Sequence, residues 1–315
     1  MPGHALYLGV DGGGTKTRFA LIDGAGTLLA QTQLGTAYHP QVGLDGVRRI
    51  LEEGIATVLA PLQRGREDIA QAFFGLPAYG EDRRATAALD LIPGQVLGHQ
   101  RYACDNDMVC GWAGSLACAD GINIIAGTGS MGYGRRGAAA ARAGGWGEAF
   151  GDEGSAHWIA TQGLNAFSRM SDGRLPRGPL HAILRAHFDL DDDLDLCAHV
   201  YGEGVGTRGD IARLSVQVAQ AADAGDAVAI GIFQQAGEEL ARIAQALRVL
   251  LGFEPGEPVP LSYSGGAFSA GALLMQPFQT ALARWSADFV LRTPIHPPHY
   301  GAALYALQLA GAAPR

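Results

Sequence analysis

Two short segments of this 315-residue chain set glycine, hydroxyl and charged side chains where an apolar run breaks off. The first is Asp11-Gly12-Gly13-Gly14-Thr15-Lys16-Thr17, between the runs Leu6 to Val10 and Arg18 to Ile22. Three glycines let backbone N–H groups point into one concavity without Cβ obstruction, which makes a nest for phosphate. Thr15 adds a hydroxyl donor and Lys16 a point charge, and Asp11 at the strand end suits Mg2+ held through water. The spacing is neither GxxxxGK[ST] nor a glycine fingerprint that opens a helix. The second segment, Gly127-Thr128-Gly129-Ser130, repeats this chemistry after the run Ile122 to Ala126. Either turn alone reads equally as a glycine hairpin. Two at matching places suggest a pair of clamps on one polyphosphate.

Three further constellations follow. Asp107, in Cys104-Asp105-Asn106-Asp107, stands between a short strand and a helix that starts at Met108. A carboxylate there is placed to accept the proton of an attacking hydroxyl or to cap the helix, and Asp105 competes for either task. Gly144-Gly145-Trp146-Gly147 and Gly151-Asp152-Glu153-Gly154-Ser155 combine an aromatic face with carboxylates, which suits a sugar; a core tryptophan and a capping Asp152 is the plainer alternative. Ser262-Tyr263-Ser264-Gly265-Gly266 ends a strand in two glycines, where a flat nucleoside can lie against backbone. The histidines show no HExxH spacing. The four cysteines (Cys104, Cys110, Cys118, Cys197) show no CxxC pairing.

The elements that must carry these residues occur in two similar series. Each begins strand, Gly/Thr turn, strand, and continues into alternating helices and strands. Helices are predicted over 44–62, 81–91, 108–118, 277–285 and 300–309, with the longest periodic stretches at 208–222 and 227–251. This is a duplicated α/β architecture with a cleft between the halves and a boundary near residue 120. A net charge of -8 without any Lys/Arg cluster excludes a nucleic-acid footprint. No apolar run approaches the ~20 residues that span a bilayer, and no leader sequence is evident, so a cytoplasmic protein is expected.

Taken in order, these segments resemble the actin/hexokinase/Hsp70 superfamily and, within it, the BadF/BadG/BcrA/BcrD-type ATPase family and its N-acetylglucosamine kinase-like branch. The resemblance rests on Gly9 to Thr15, Asn106-Asp107, Ala126 to Ser130, Gly144 to Gly147, Gly151 to Ile159, Leu261 to Gly266 and Pro298 to Ala303. It implies a ribonuclease-H-like fold in each half. The first would span 1–120, joined by a returning helix at 299–311, and the second 121–298. It implies ATP and Mg2+ as cofactors and a small amino sugar as substrate, N-acetylglucosamine first and glucosamine as the alternative. Asp107 would be the general base; Gly145, Trp146 and Asp152, with Asp107, would meet the sugar. Asp11 would go with Mg2+; Gly13, Gly14, Thr15, Lys16, Thr128 and Gly129 with phosphate; Gly265 and Gly266 with adenosine. A homodimer is compatible with it. Tyr38 and His39 stand where the kinases usually carry an asparagine that touches a sugar hydroxyl, which bears on the identity of the sugar. Two rival activities are an ATPase that activates a radical reductase, which needs a thiolate pair such as Cys104 and Cys110 for an iron–sulfur cluster, and a non-enzymatic sugar sensor.

Overall fold

The computed structural model describes residues 5–202 and 206–311. The chain forms two compact units. One runs to Asp120 and is taken up again from Thr293; the other is Gly121–Arg292.

The first unit is organised around Leu6–Gly12 (β1), where Leu8 and Val10 are fully buried, as befits a strand covered on both faces. Lys16–Ile22 (β2) and Leu28–Gly35 (β3) follow as an antiparallel meander. His39–Leu59 (α1) is interrupted at Gly43, whose φ of 68° breaks the helical path, so the regular helix starts where the apolar period predicts it. Its Gly54 lies directly on the Phe19 ring, leaving no room for a Cβ. Ile69–Leu76 (β4), Arg83–Leu97 (α2), Tyr102–Asn106 (β5) and Met108–Leu116 (α3) complete a mixed sheet in the order β3-β2-β1-β4-β5. Pro93 sits inside α2 and does not end it, which the sequence reading did not foresee.

The second unit repeats this topology. Gly121–Ala126 (β6), Ser130–Arg136 (β7) and Ala139–Gly144 (β8) form the meander. The strand β8 forms although Ala139 to Ala143 carries no β-branched residue. Its pairing is imposed by the antiparallel ladder on β7. Ala156–Ser171 (α4), Pro179–Phe188 (α5), Leu196–Tyr201 (α6), Arg208–Arg213 (α7), Ser215–Asp223 (α8) and Ala227–Leu250 (α9) come next. The predicted single helix over 208–222 is therefore two. At Leu214 ψ rises to -12°, and the redirected chain keeps Ala212, Leu214, Val218 and Ala221 all buried. Val259–Ser264 (β9), Ala272–Trp285 (α10) and Phe289–Leu291 (β10) close the sheet as β8-β7-β6-β9-β10. The helix α10 starts five residues before Pro277, whose ring packs against Gly237 of α9.

Pro298–Leu309 (α11) returns to the first unit and packs on β1 and α3. The contact is backbone to backbone: a Cβ on Gly301 would stand closer than 3.0 Å to Gly114, and one on Gly9 would strike Ala302 and Ala303. Each unit thus has the ribonuclease-H-like strand order, two parallel neighbours on one side of the first strand and an antiparallel meander on the other. Among the described residues no helix is long and apolar enough to cross a membrane.

Candidate active site

In the first unit the chemistry collects at the carboxyl ends of β1, β4 and β5. The hairpin after β1 is closed by the Gly13 amide, which donates to the Lys16 carbonyl (2.8 Å). The Thr36 hydroxyl donates to the Gly13 carbonyl (2.7 Å) and accepts from the Tyr38 amide (3.0 Å), tying the start of α1 to the same turn. None of Gly12, Gly13 or Gly14 has a positive φ. Clearance is required at Gly12, which packs on Pro77, whereas a Cβ on Gly14 would meet nothing within 4 Å. Thr15 and Lys16 are exposed.

Asp11 pairs across the ladder with Gly75 of β4. Gly75 is bare because α3 comes against it; a Cβ there would lie closer than 3.0 Å to Cys110 Sγ and 3.1 Å from the Asp107 Cα. The absent side chain lets Asp107 approach the β1 carboxyl end. Asp107 occupies the cap position of α3 but makes no side-chain cap hydrogen bond. Asn106 does that work, its Oδ1 accepting from the Met108 amide (3.1 Å). The capping alternative for Asp107 is thereby set aside, and its carboxylate remains available. Burial, then the nearby Asp11 and Glu81 charges, raise its pKa to about 7. Burial also raises Asp11 to about 6, against the pull of Arg18 and Lys16.

A divalent cation would find oxygen donors of the right hardness here. Two mutually repelling carboxylates are relieved by positive charge, and Mg2+ favours one or two carboxylates plus phosphate oxygens and water. The residues fit that ion through Asp11.

In the second unit the turn between β6 and β7 repeats the closure, Gly127 N to Gly129 O (2.8 Å). The amide of Ala156 donates to the Gly127 carbonyl (2.9 Å), so the start of α4 is anchored to the turn. Ser130 Oγ donates to the Glu153 carbonyl (2.6 Å), and Ser130 N to Asp152 Oδ1 (3.4 Å). Asp152 is buried with φ of 60°, a left-handed backbone that costs a non-glycine residue energy. It does not cap α4; Ser155 does, accepting from the Trp158 amide (3.1 Å). Gly144, Gly145 and Gly147 also have positive φ, and they turn Trp146 outward, 72% exposed, where a core position was the alternative. Gly265, at φ 101°, lies against the Ala126 carbonyl and the Gly127 amide, which sets the glycine pair after β9 beside the Gly127–Ser130 turn. Gly266 is next in the chain and has nothing within 4 Å of a Cβ.

Sequence reasoning missed Thr36, Glu148 and Arg208, and it quoted Asn106 and Ser130 within their motifs without giving either a role of its own. Asn106 acts through a bond to the nearby Met108 amide that any polar loop residue offers, and Thr36 reaches a carbonyl 23 residues away that its own segment does not announce. Arg208 is one of many arginines and lies 56 residues from the Asp152 carboxylate it pairs with, so no local pattern marks it.

A model of the BadF/BadG/BcrA/BcrD ATPase family matches residues 8–306. The chain belongs to that family. The family match extends over both units and includes the candidate site residues from Asp11 to Gly266. The chain is 30% identical over 266 residues to an N-acetylmuramic acid/N-acetylglucosamine kinase of Clostridium acetobutylicum, covering 83% of this chain and 85% of that protein. It is 27% identical over 312 residues to an N-acetyl-D-glucosamine kinase of Dictyostelium discoideum, covering 96% and 98%. Among solved structures, a putative N-acetylglucosamine kinase from Chromobacterium violaceum superposes with a TM-score of 0.77 at 27% identity, over 98% of this chain and 100% of that one. The actin/hexokinase-type fold of the BadF/BadG/BcrA/BcrD ATPases is the fold of this chain.

Proposed function

We propose that the chain is an ATP-dependent kinase that phosphorylates an amino sugar, with N-acetylglucosamine as the first substrate and free glucosamine as the alternative. The observation that carries the reading is Asp107: a partly exposed carboxylate at a strand end, unused by its helix and titrating at about 7. That is the range in which a general base both accepts a proton and stands ionised at working pH. The kinase names borne by relatives that match most of this chain support the same reaction.

In this reading Asp107 takes the proton of the attacking sugar hydroxyl as its oxygen bonds to the γ-phosphorus and the bond to the β-phosphate oxygen breaks. The rest is positioning and electrostatics. Gly13, Gly14, Thr15 and Lys16 hold phosphate from the first unit. Thr128 and Gly129 do so from the second, with Gly265 and Gly266 along the adenosine. Asp11 would hold Mg2+ through water, and the ion would neutralise charge on the phosphates. Gly145, Trp146 and Asp152 receive the sugar, the indole offering a face to its apolar side. The reading carries a cytoplasmic location, where ATP is supplied.

The two cysteines nearest the site argue against the reductase-activator alternative. Burial pushes both the Cys104 and Cys110 thiols up, and Cys110 Sγ is engaged by the Val10 carbonyl (3.5 Å). A cluster needs thiolates.

The test follows ADP release from Mg-ATP with N-acetylglucosamine, glucosamine, N-acetylmannosamine, N-acetylmuramate and glucose. Sugar-dependent turnover that drops ~10²-fold or more in Asp107→Asn is expected. Turnover indifferent to sugar, or sugar binding without turnover, would overturn the kinase in favour of the activator or the sensor respectively.

A further inference from the structure

Arg208 opens the short helix α7, and its guanidinium joins segments that are far apart in sequence. Its Nη2 donates to Oδ2 of Asp152, and its Nε lies 3.3 Å from Oε2 of Glu148. The same Nη2, with Asp152 Oδ2, fills the space in which a Cβ on Gly129 would stand, closer than 3.0 Å. Asp152 itself is only 2% exposed, and its other oxygen accepts from the Ser130 amide. A carboxylate so buried, on a strained backbone, requires a cation in good geometry. The glycine at 129 is what lets that cation reach it. The guanidinium works in two directions at once, Nε toward Glu148 and Nη2 toward Asp152, which a lysine ammonium on a flexible stem does not reproduce.

We infer that Arg208 is a positioning residue: it locks the Asp152 carboxylate against the Gly127–Ser130 turn, so that sugar affinity and the phosphate turn share one guanidinium. The inference rests on the kinase reading, in which Asp152 accepts sugar hydroxyls and Thr128 and Gly129 hold phosphate. It gives Gly129 a second role, since the residue clears room for an ion pair as well as for a ligand.

The experiment uses the full chain with Arg208→Met and Arg208→Lys, and reads KM for N-acetylglucosamine, KM for ATP, kcat and the thermal midpoint. In Arg208→Met, KM for the sugar is expected to rise at least ~10-fold and kcat to fall ~10-fold or more, beyond what any fall in midpoint explains. Free guanidinium at tens of millimolar restores part of that loss, while Arg208→Lys restores less than guanidinium does. Kinetic constants of Arg208→Met within twofold of the parent's overturn the inference. So does a loss that guanidinium leaves untouched and that tracks the midpoint, because the pair is then only a brace. If the parent chain shows no sugar-dependent ADP release, the kinase reading itself fails. Activity in the parent with no effect at Arg208 removes the inference alone.

Discussion

At the scale of single residues, the ionisation of Asp107 bears on stability and, in the proposed kinase, on reactivity. Its folded pKa of about 7 lies above the ordinary 3.8, so the native state keeps a proton that the unfolded chain has released. Stability is therefore expected to fall as pH rises from about 4 to about 7, and to stay low above that. Asp107→Asn removes the buried charge and should stabilise the ligand-free protein at pH 8 by ~2 kcal/mol, less than the full shift because the group is partly open to water. Near pH 4 the gain should vanish; urea unfolding at the two pH values checks this. In the parent enzyme kcat/KM for the sugar should climb with pH and level off above about 7. Asp11, raised to about 6, repels Asp107, so the two titrate as a pair and the limb belongs to both. Lys16 offers a separate check, because it is the only lysine in the chain. An amine-directed reagent can reach only Lys16 and the terminal amine, and Mg-ATP is expected to slow labelling of Lys16 several-fold, as read by peptide mass spectrometry. Equal labelling with and without Mg-ATP removes Lys16 from the phosphate set.

At the scale of elements, backbone clearance positions the Asp107 carboxylate. The helix α3 reaches the β1 carboxyl end only because Gly75 lacks a side chain. Gly75→Ala should force α3 outward, destabilise the protein by ~2 kcal/mol as overpacked cores do, and depress kcat more than either KM. Adding Cys110→Ala removes the nearer clash, with Sγ, and should recover most of the stability. The remaining contact with the Asp107 Cα, at 3.1 Å, should keep kcat low. A Gly75→Ala variant with the parent's melting point and kcat would show that α3 accommodates the methyl group.

At the scale of the whole molecule, the two units differ in continuity. The second, Gly121–Arg292, is one uninterrupted stretch with its own core around Phe167, Phe233 and Phe278. The first needs α11, which covers β1 and α3 through Gly9, Gly114 and Gly301. Residues 121–292 expressed alone are expected to fold, with a cooperative melt by circular dichroism. Residues 1–120 alone should not, whereas joining residues 293–311 to them by a flexible linker should restore a cooperative melt. Cooperative melting of 1–120 by itself would show that α11 is dispensable to that core.

What the sequence determined by itself are the features that local chemistry writes locally. Each apolar run that ends in a Gly/Thr turn is a strand entering a glycine-rich loop, and the recurrence of that series gives the duplicated fold. Asp11, Thr128 and Gly265 were legible as candidates because each stands at or just after a strand end, Asp107 because it lies between a strand and a helix, and Asp152 because it follows a glycine-flanked tryptophan. Long-range placement was not legible. Whether Asp107 caps its helix depended on Asn106 taking that bond, and whether Trp146 is core or surface depended on three left-handed glycines. The pairing of β8 came from its neighbour and not from its own alanines. Arg208 became visible only when folding brought it to Asp152 across 56 residues. Turns and strand ends are decided by the few residues that form them; ion pairs, clearances and exposures are decided by what the rest of the chain places against them.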